Sequence, residues 1–168
     1  CLFSPCLSHC WLIISILPLL LLLTCLINRS FGNVHDNFLT ETDALTSDIH
    51  HVIEQQGRSN ALGCFSFNGT GGIWRKDAII AGGGFSSDTV TEDLDLSYKS
   101  HIAGYQFVYL PDLPQQLETP ACVLAYKQQK NRWNKGYFQV YRKSMQCILE
   151  CSHLPIATRI EAFFHISR

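Results

Sequence analysis

Three short stretches carry residue types whose spacing could do chemistry. The first is Thr91-Glu92-Asp93-Leu94-Asp95-Leu96. A carboxylate in the first turn of a helix is held rigidly at an element end, and the helix dipole favours its ionised form. An ionised Asp93 in that place could take a proton from a substrate hydroxyl. The plainer reading is a helix start, with Thr91 accepting from exposed backbone N–H groups and the acidic residues suiting the dipole. Asp93 and Asp95 also spell D-x-D. Successive helical residues turn by about 100°, so these two point to nearly opposite sides and cannot chelate one ion.

The second stretch is Gln129-Lys130-Asn131-Arg132-Trp133. On a helix, Gln129 and Arg132 share a face, and Trp133 lies one turn on from Gln129. An amide, a guanidinium and an indole on one surface suit a ligand that is part phosphate and part sugar. Arg forks onto phosphate oxygens, and Trp offers an apolar face to a pyranose. A half-buried Trp beside a solvated Arg is the plainer alternative. The third stretch is Phe67-Asn68-Gly69-Thr70-Gly71-Gly72, which matches neither the phosphate-binding loop nor the dinucleotide fingerprint. Asn68-Gly69-Thr70 and Asn28-Arg29-Ser30 are formal glycosylation sequons, which matter only in a secretory lumen. A serine-hydrolase elbow is absent. The histidines, including the His50-His51 pair, form no HExxH arrangement.

The elements that would position these residues alternate between helical and strand signals, which argues for an α/β layer fold. The pattern predicts a helix over Asp43–Ile53, a loop at Gly57–Asn60 and a strand over Ala61–Asn68, then a turn at 69–72. A short helix over Trp74–Ala81 would be closed by Gly82-Gly83-Gly84. A further helix would run from Thr91 to Ala103, with Gly104 as its stop, followed by a strand over Gln106–Leu110 that Pro111 ends. Two more helices follow, Ala121–Lys130 and Arg132–Leu149. On the latter, Trp133, Tyr137, Tyr141, Met145 and Ile148 form a stripe, and Arg132, Lys135, Arg142 and Lys143 supply positive charge. That combination suits a helix lying on an anionic membrane surface, although the same stripe could be buried in the domain.

The chain has 168 residues, with Lys+Arg 13, Asp+Glu 14 and a net charge of -1. A nucleic-acid binder relying on a wholesale basic surface is thereby disfavoured. Charged residues make up 16%, below the roughly 25% of an ordinary soluble domain. The deficit is local, because no charged residue precedes Arg29. Trp11 to Ile27 is almost wholly apolar and just long enough to span a bilayer. A cleaved signal fits least, since a basic n-region and a small-residue cleavage site are missing. A membrane anchor and a stretch that is not native protein both stay open for residues 1–30. Cys64, Cys122, Cys147 and Cys151 give no disulfide framework and read as neutral thiols. Cys147, Cys151 and His153 lack a fourth metal ligand.

Taken in order, FNGTGGIWRK, AGGGF, TEDLDLSYKSHIAGYQFVYLP and QQKNRWNKG resemble the second half of a membrane-embedded family 2 glycosyltransferase of the cellulose-synthase and mannan-synthase-like kind. The resemblance runs from about Phe31 through IEAFFHIS. It implies part of a GT-A catalytic domain over residues 31–150, with 151–168 leading into a transmembrane region that is missing from the chain. The implied reaction is inverting transfer of a hexosyl unit from a UDP- or GDP-hexose to a growing β-glycan. Carried over by position, Asp93 is the general base and Gln129 and Arg132 lie at the donor diphosphate. Trp133, Glu92, Asn68, Gly69 and Thr70 lie at the acceptor. The family also implies Mg²⁺ or Mn²⁺ and a nucleotide-binding Asp, but the metal-binding D-x-D of its first half is not found here. The chain reads as a fragment. Its expected partners are the donor, the glycan and membrane lipid, with the catalytic face cytosolic. A catalytically inactive membrane-associated remnant and a non-processive glycosyltransferase of the same fold are the alternatives.

Overall fold

The computed structural model describes residues 24–167, with side chains from Arg29 onward. The first long helical run opens at Asn37. Its side chain accepts from the N–H groups of Leu39 and Thr40 at 2.9 and 3.1 Å, while the Thr40 hydroxyl accepts from the Asn37 N–H at 3.0 Å. This reciprocal capping box satisfies donors that a helix start leaves without partners. The run continues as α1 (Phe38–Asp48), a π-wound segment (Ile49–Gln55) and α2 (Gln56–Leu62). It begins ahead of the expected Asp43 and absorbs the expected loop at Gly57–Asn60. The run stops instead at Gly63, whose left-handed backbone (φ 59°) lets its N–H reach the carbonyls of Arg58 and Ser59.

The strand expected over Ala61–Asn68 does not form. Ala61 and Leu62 finish α2, and Cys64–Phe67 are buried without a strand partner. Their N–H groups turn to helix side chains instead: Phe67 donates to Ser97 Oγ at 2.8 Å and Phe65 to His101 Nε2 at 3.3 Å. Side chains of one helix here do the work of a neighbouring strand.

The sheet has the order β2 (Gly72–Ile73), β1 (Thr24–Phe31), β3 (Phe107–Leu117), with β1 antiparallel to β2 and parallel to β3. Residues 24–30, expected as the end of a hydrophobic leader, therefore belong to the central strand. The rest of that leader lies outside the described residues. β3 also runs on past Pro111. It is an edge strand among the described residues, where a missing N–H is tolerated. Its register slips between Ile27 and Asn28, which pair with Leu110 and Pro114, so residues 111–113 go unpaired.

Three more helices precede the last: α3 (Lys76–Ala81), α4 (Glu92–Ile102) and α5 (Val123–Glu150). The two helices expected on either side of Asn131 are one, because no Pro or Gly interrupts the i→i−4 ladder there. α6 (Ile156–Ile166) follows Pro155. Val140, Met145 and Ile148 of α5 meet Leu94 and Tyr98 of α4 and Ala162 and Ile166 of α6 in the main core, with Tyr137 and Tyr141 packed against it. Apart from Trp133, the stripe expected to face lipid is thus packed against the chain's own helices. Lys143 is likewise engaged, at 2.7 Å from Asp88 and 3.1 Å from Asp95. A second cluster joins Phe65 and Phe67 to Phe107, Tyr109 and Trp74. Among the described residues no helix is long and apolar enough to cross a membrane. Of the four cysteines whose side chains are described, all free, Cys64 and Cys151 are buried, and burial pushes the Cys64 thiol up to about 12.

Candidate active site

The sheet, the buried segment after Gly63 and the starts of α4 and α5 surround a cavity of about 570 Å³. Asn68, Gly69 and Thr70 line it from one side, Glu92 and Asp93 from the start of α4, and Gln129, Arg132 and Trp133 from α5. Eight residues from three separate stretches of sequence therefore line one cavity.

Asp93 sits in the first turn of α4 and its Oδ2 accepts the Gly69 N–H. The link is doubled, since Ser97 Oγ accepts from Phe67 N–H and donates to the Asp93 carbonyl at 2.6 Å. Gly69 has a positive φ of 66°, and a Cβ there would come within 3.2 Å of the Arg29 guanidinium. Glycine answers both demands. Thr91 occupies the cap position of α4, but its side chain makes no capping bond. Its methyl and hydroxyl press against Gly136 of α5 instead, where an added Cβ would lie 2.2 Å from Thr91 Cγ2. Gly136 lets the two helices approach, and this contact holds Asp93 opposite the Gln129–Trp133 face. The helix dipole was expected to keep Asp93 readily ionised. Burial outweighs it and raises the Asp93 carboxyl above the usual carboxylate range, with the Gly69 and Leu94 N–H groups pulling the other way. A carboxylate so placed is a better proton acceptor than an exposed one.

Asp95 points elsewhere. It is fully buried, with Lys99 at 2.6 Å, Ser86 at 2.7 Å and Lys143 at 3.1 Å from its Oδ2. The separation of Asp93 from Asp95 follows from the turn of about 100° per helical residue.

Trp133 is half-buried and shares its environment with Lys130, whose ammonium lies 4.5 Å from the indole centroid and 5.0 Å from the Tyr126 ring. Lys130 is held there by buried Asp43 at 2.8 Å, and Asp43 also accepts from the Thr119 hydroxyl. Among the described residues, Arg132 makes no ion pair and is exposed at the cavity. Other residues on the cavity wall were not expected as site residues, among them Arg29, Asp43, His50, His51 and Lys130. The His50-His51 pair was visible in the sequence, but only long-range folding reveals what it touches. Among the described residues, no three His, Cys, Asp or Glu side chains could together hold a metal ion. Among the described residues the donor set does not fit the expected Mg²⁺ or Mn²⁺.

A family model described as glycosyl transferase family group 2 matches residues 21–167. The chain belongs to that family. Membership implies a GT-A-like fold, of which the helices and the parallel β1–β3 pair are part. Over 141 residues the chain is 32% identical to glucomannan 4-beta-mannosyltransferase 1 of Cyamopsis tetragonoloba, covering 82% of this chain and 27% of that protein. It is 31% identical over 135 residues to glucomannan 4-beta-mannosyltransferase 1 of Oryza sativa subsp. japonica, covering 80% and 26%. A probable glucomannan 4-beta-mannosyltransferase 3 of the same rice is 34% identical over 125 residues, covering 74% and 23%. This family 2 chain thus spans about a quarter of the length of the curated relatives it matches.

Proposed function

We propose that this family 2 domain serves transfer of a hexosyl unit from a nucleotide-diphosphate sugar to a β-glycan, with inversion at the anomeric carbon. The observation that carries this is the meeting of a half-buried carboxylate, Asp93, with an amide, a guanidinium and an indole around one cavity. Asp93 takes the proton of the acceptor hydroxyl as that oxygen attacks the anomeric carbon. The bond from that carbon to the diphosphate oxygen breaks, and the nucleoside diphosphate leaves. Arg132 and Gln129 face the charge that builds on the leaving diphosphate. Trp133 offers its ring to the acceptor sugar, with Lys130 already near the indole. Asn68, Gly69, Thr70 and Glu92 line the acceptor side.

The relatives' names point to mannosyl transfer into glucomannan, so GDP-mannose is the first donor to try and UDP-glucose the second. Incorporation of labelled hexose into alkali-insoluble glycan tests the reading. Asp93→Asn should lower turnover by roughly 10²–10⁴-fold while nucleotide-sugar binding survives. Near-normal turnover of that variant would sink the assignment.

Placement at the cytosolic face of a membrane belongs to the same proposal, with a different surface from the α5 stripe. α6 turns Ile156, Ile160 and Phe164 outward, and these stay 70%, 51% and 62% exposed along one helix face. Vesicle co-sedimentation should weaken in Ile160→Asp; equal sedimentation would remove α6 from the membrane surface.

A further inference from the structure

We propose that His51 is a positioning residue for the base: through the Asn68 side chain it sets the Gly69 N–H that holds the Asp93 carboxylate. The proposal rests on the reading of Asp93 given above.

The geometry begins in the π-wound segment, which presents His51 to the cavity. His51 Nδ1 lies 2.7 Å from the Ser47 carbonyl, an acceptor only, so Nδ1 carries the proton. Nε2 is then an acceptor, and the Asn68 amide nitrogen donates to it at 3.3 Å. The Asn68 backbone is held as well, since the Arg29 guanidinium donates to its carbonyl. The next residue is Gly69, whose N–H meets Asp93. A buried imidazole thus fixes the side chain, and a guanidinium the carbonyl, of the residue before the N–H that binds the base. His50 and Glu54 flank this array from the same segment, 2.9 Å apart, and Arg29 from β1 and Asp93 from α4 are further charged groups on the same cavity. Burial pushes the His51 ring down to about 4. At any higher pH the ring is neutral, and Nε2 stays available to Asn68. A hydrogen bond to a carboxylate favours its charged form. Loosening Gly69 should therefore raise the Asp93 carboxyl further and misplace it.

The test is His51→Phe in the full chain, which keeps a ring and loses both nitrogens. Carbon NMR of the Asp93 carboxyl should show its titration midpoint moved to higher pH. Turnover should fall by roughly 10- to 100-fold, as for a catalytic group displaced by about 1 Å, with donor KM little changed. Asn68→Leu removes the same link from the other side and should move the carboxyl in the same direction. It also serves if His51→Phe does not fold. A carboxyl titration that stays put in a folded variant overturns the proposal, whatever the activity. A shifted titration alongside a fully active Asp93→Asn overturns the base reading instead and leaves the positioning role standing.

Discussion

At the residue scale, burial and hydrogen bonding pull Asp93 in opposite directions, and burial wins. A folded-state pKa above the unfolded value of about 3.9 means that the protonated form is the one folding favours. The stabilisation is present below that unfolded value and is lost as pH rises through the raised folded value. Asp93→Asn should therefore melt above the wild type at neutral pH, with the gap closing in acid, as read by thermal unfolding across pH. The acid limb of the activity profile should sit above the ordinary carboxylate range for the same reason. Arg132 and Trp133 should separate kinetically. Arg132→Lys should fail to restore donor use, because Lys lacks the planar fork. Trp133→Ala should raise the acceptor KM while donor affinity holds. Unchanged acceptor dependence in Trp133→Ala would remove the stacking role.

At the element scale, the junction of α4 with α5 aligns the site. Glycine inside a helix costs about 1 kcal/mol relative to alanine, yet Gly136 lies deep in α5 because Thr91 leaves no room for a Cβ. Gly136→Ala should lower stability by about 1–3 kcal/mol through overpacking and reduce turnover by shifting the start of α4. Adding Thr91→Gly, which removes every side-chain atom that clashes, should recover part of both losses. Additive losses in the double variant would show that the contact does not set the alignment. Asp95 joins the same helices from the buried side. Burial alone would raise its carboxyl, but hydrogen bonds from Lys99, Ser86 and Lys143 hold it below the usual range. Its contribution is present at neutral pH and fades as pH falls. Asp95→Ala should cost about 2–3 kcal/mol in urea unfolding at pH 7, and less in acid.

At the scale of the whole molecule, α6 closes the core that α4 and α5 begin. Ile148 is fully buried between them, and Ile148→Ala should cost about 2–5 kcal/mol. Removing residues 151–168 should uncover Val140, Met145 and Ile148 together, bind a hydrophobic dye and broaden the unfolding transition. A truncated chain that unfolds as sharply as the intact one would show that α6 is dispensable. Arg58 of α2 reaches Glu161 of α6 at 2.7 Å, so α6 also braces the helical run that carries His51.

What could be read along the chain was local. The motifs at 91–96 and 129–133 each announced a chemistry, while that at 67–72 took its role only from the family resemblance. The helix over 92–102 had its start and stop in place, and α5 had its apolar period. Packing decided what covers that period, since the same stripe satisfies lipid or a neighbouring helix equally well. The stretch at 61–68 alternated like a strand, but its N–H groups found Ser97 and His101, some thirty residues ahead in the chain. Pro111 did not end β3, because it falls in the register slip where residues 111–113 go unpaired and no ladder N–H is required of it. The convergence of Arg29, His51, Asn68, Gly69 and Asp93 was the least legible of all. Hydrogen bonds between residues far apart in sequence leave no periodic trace, and only the folded backbone brings their partners within reach.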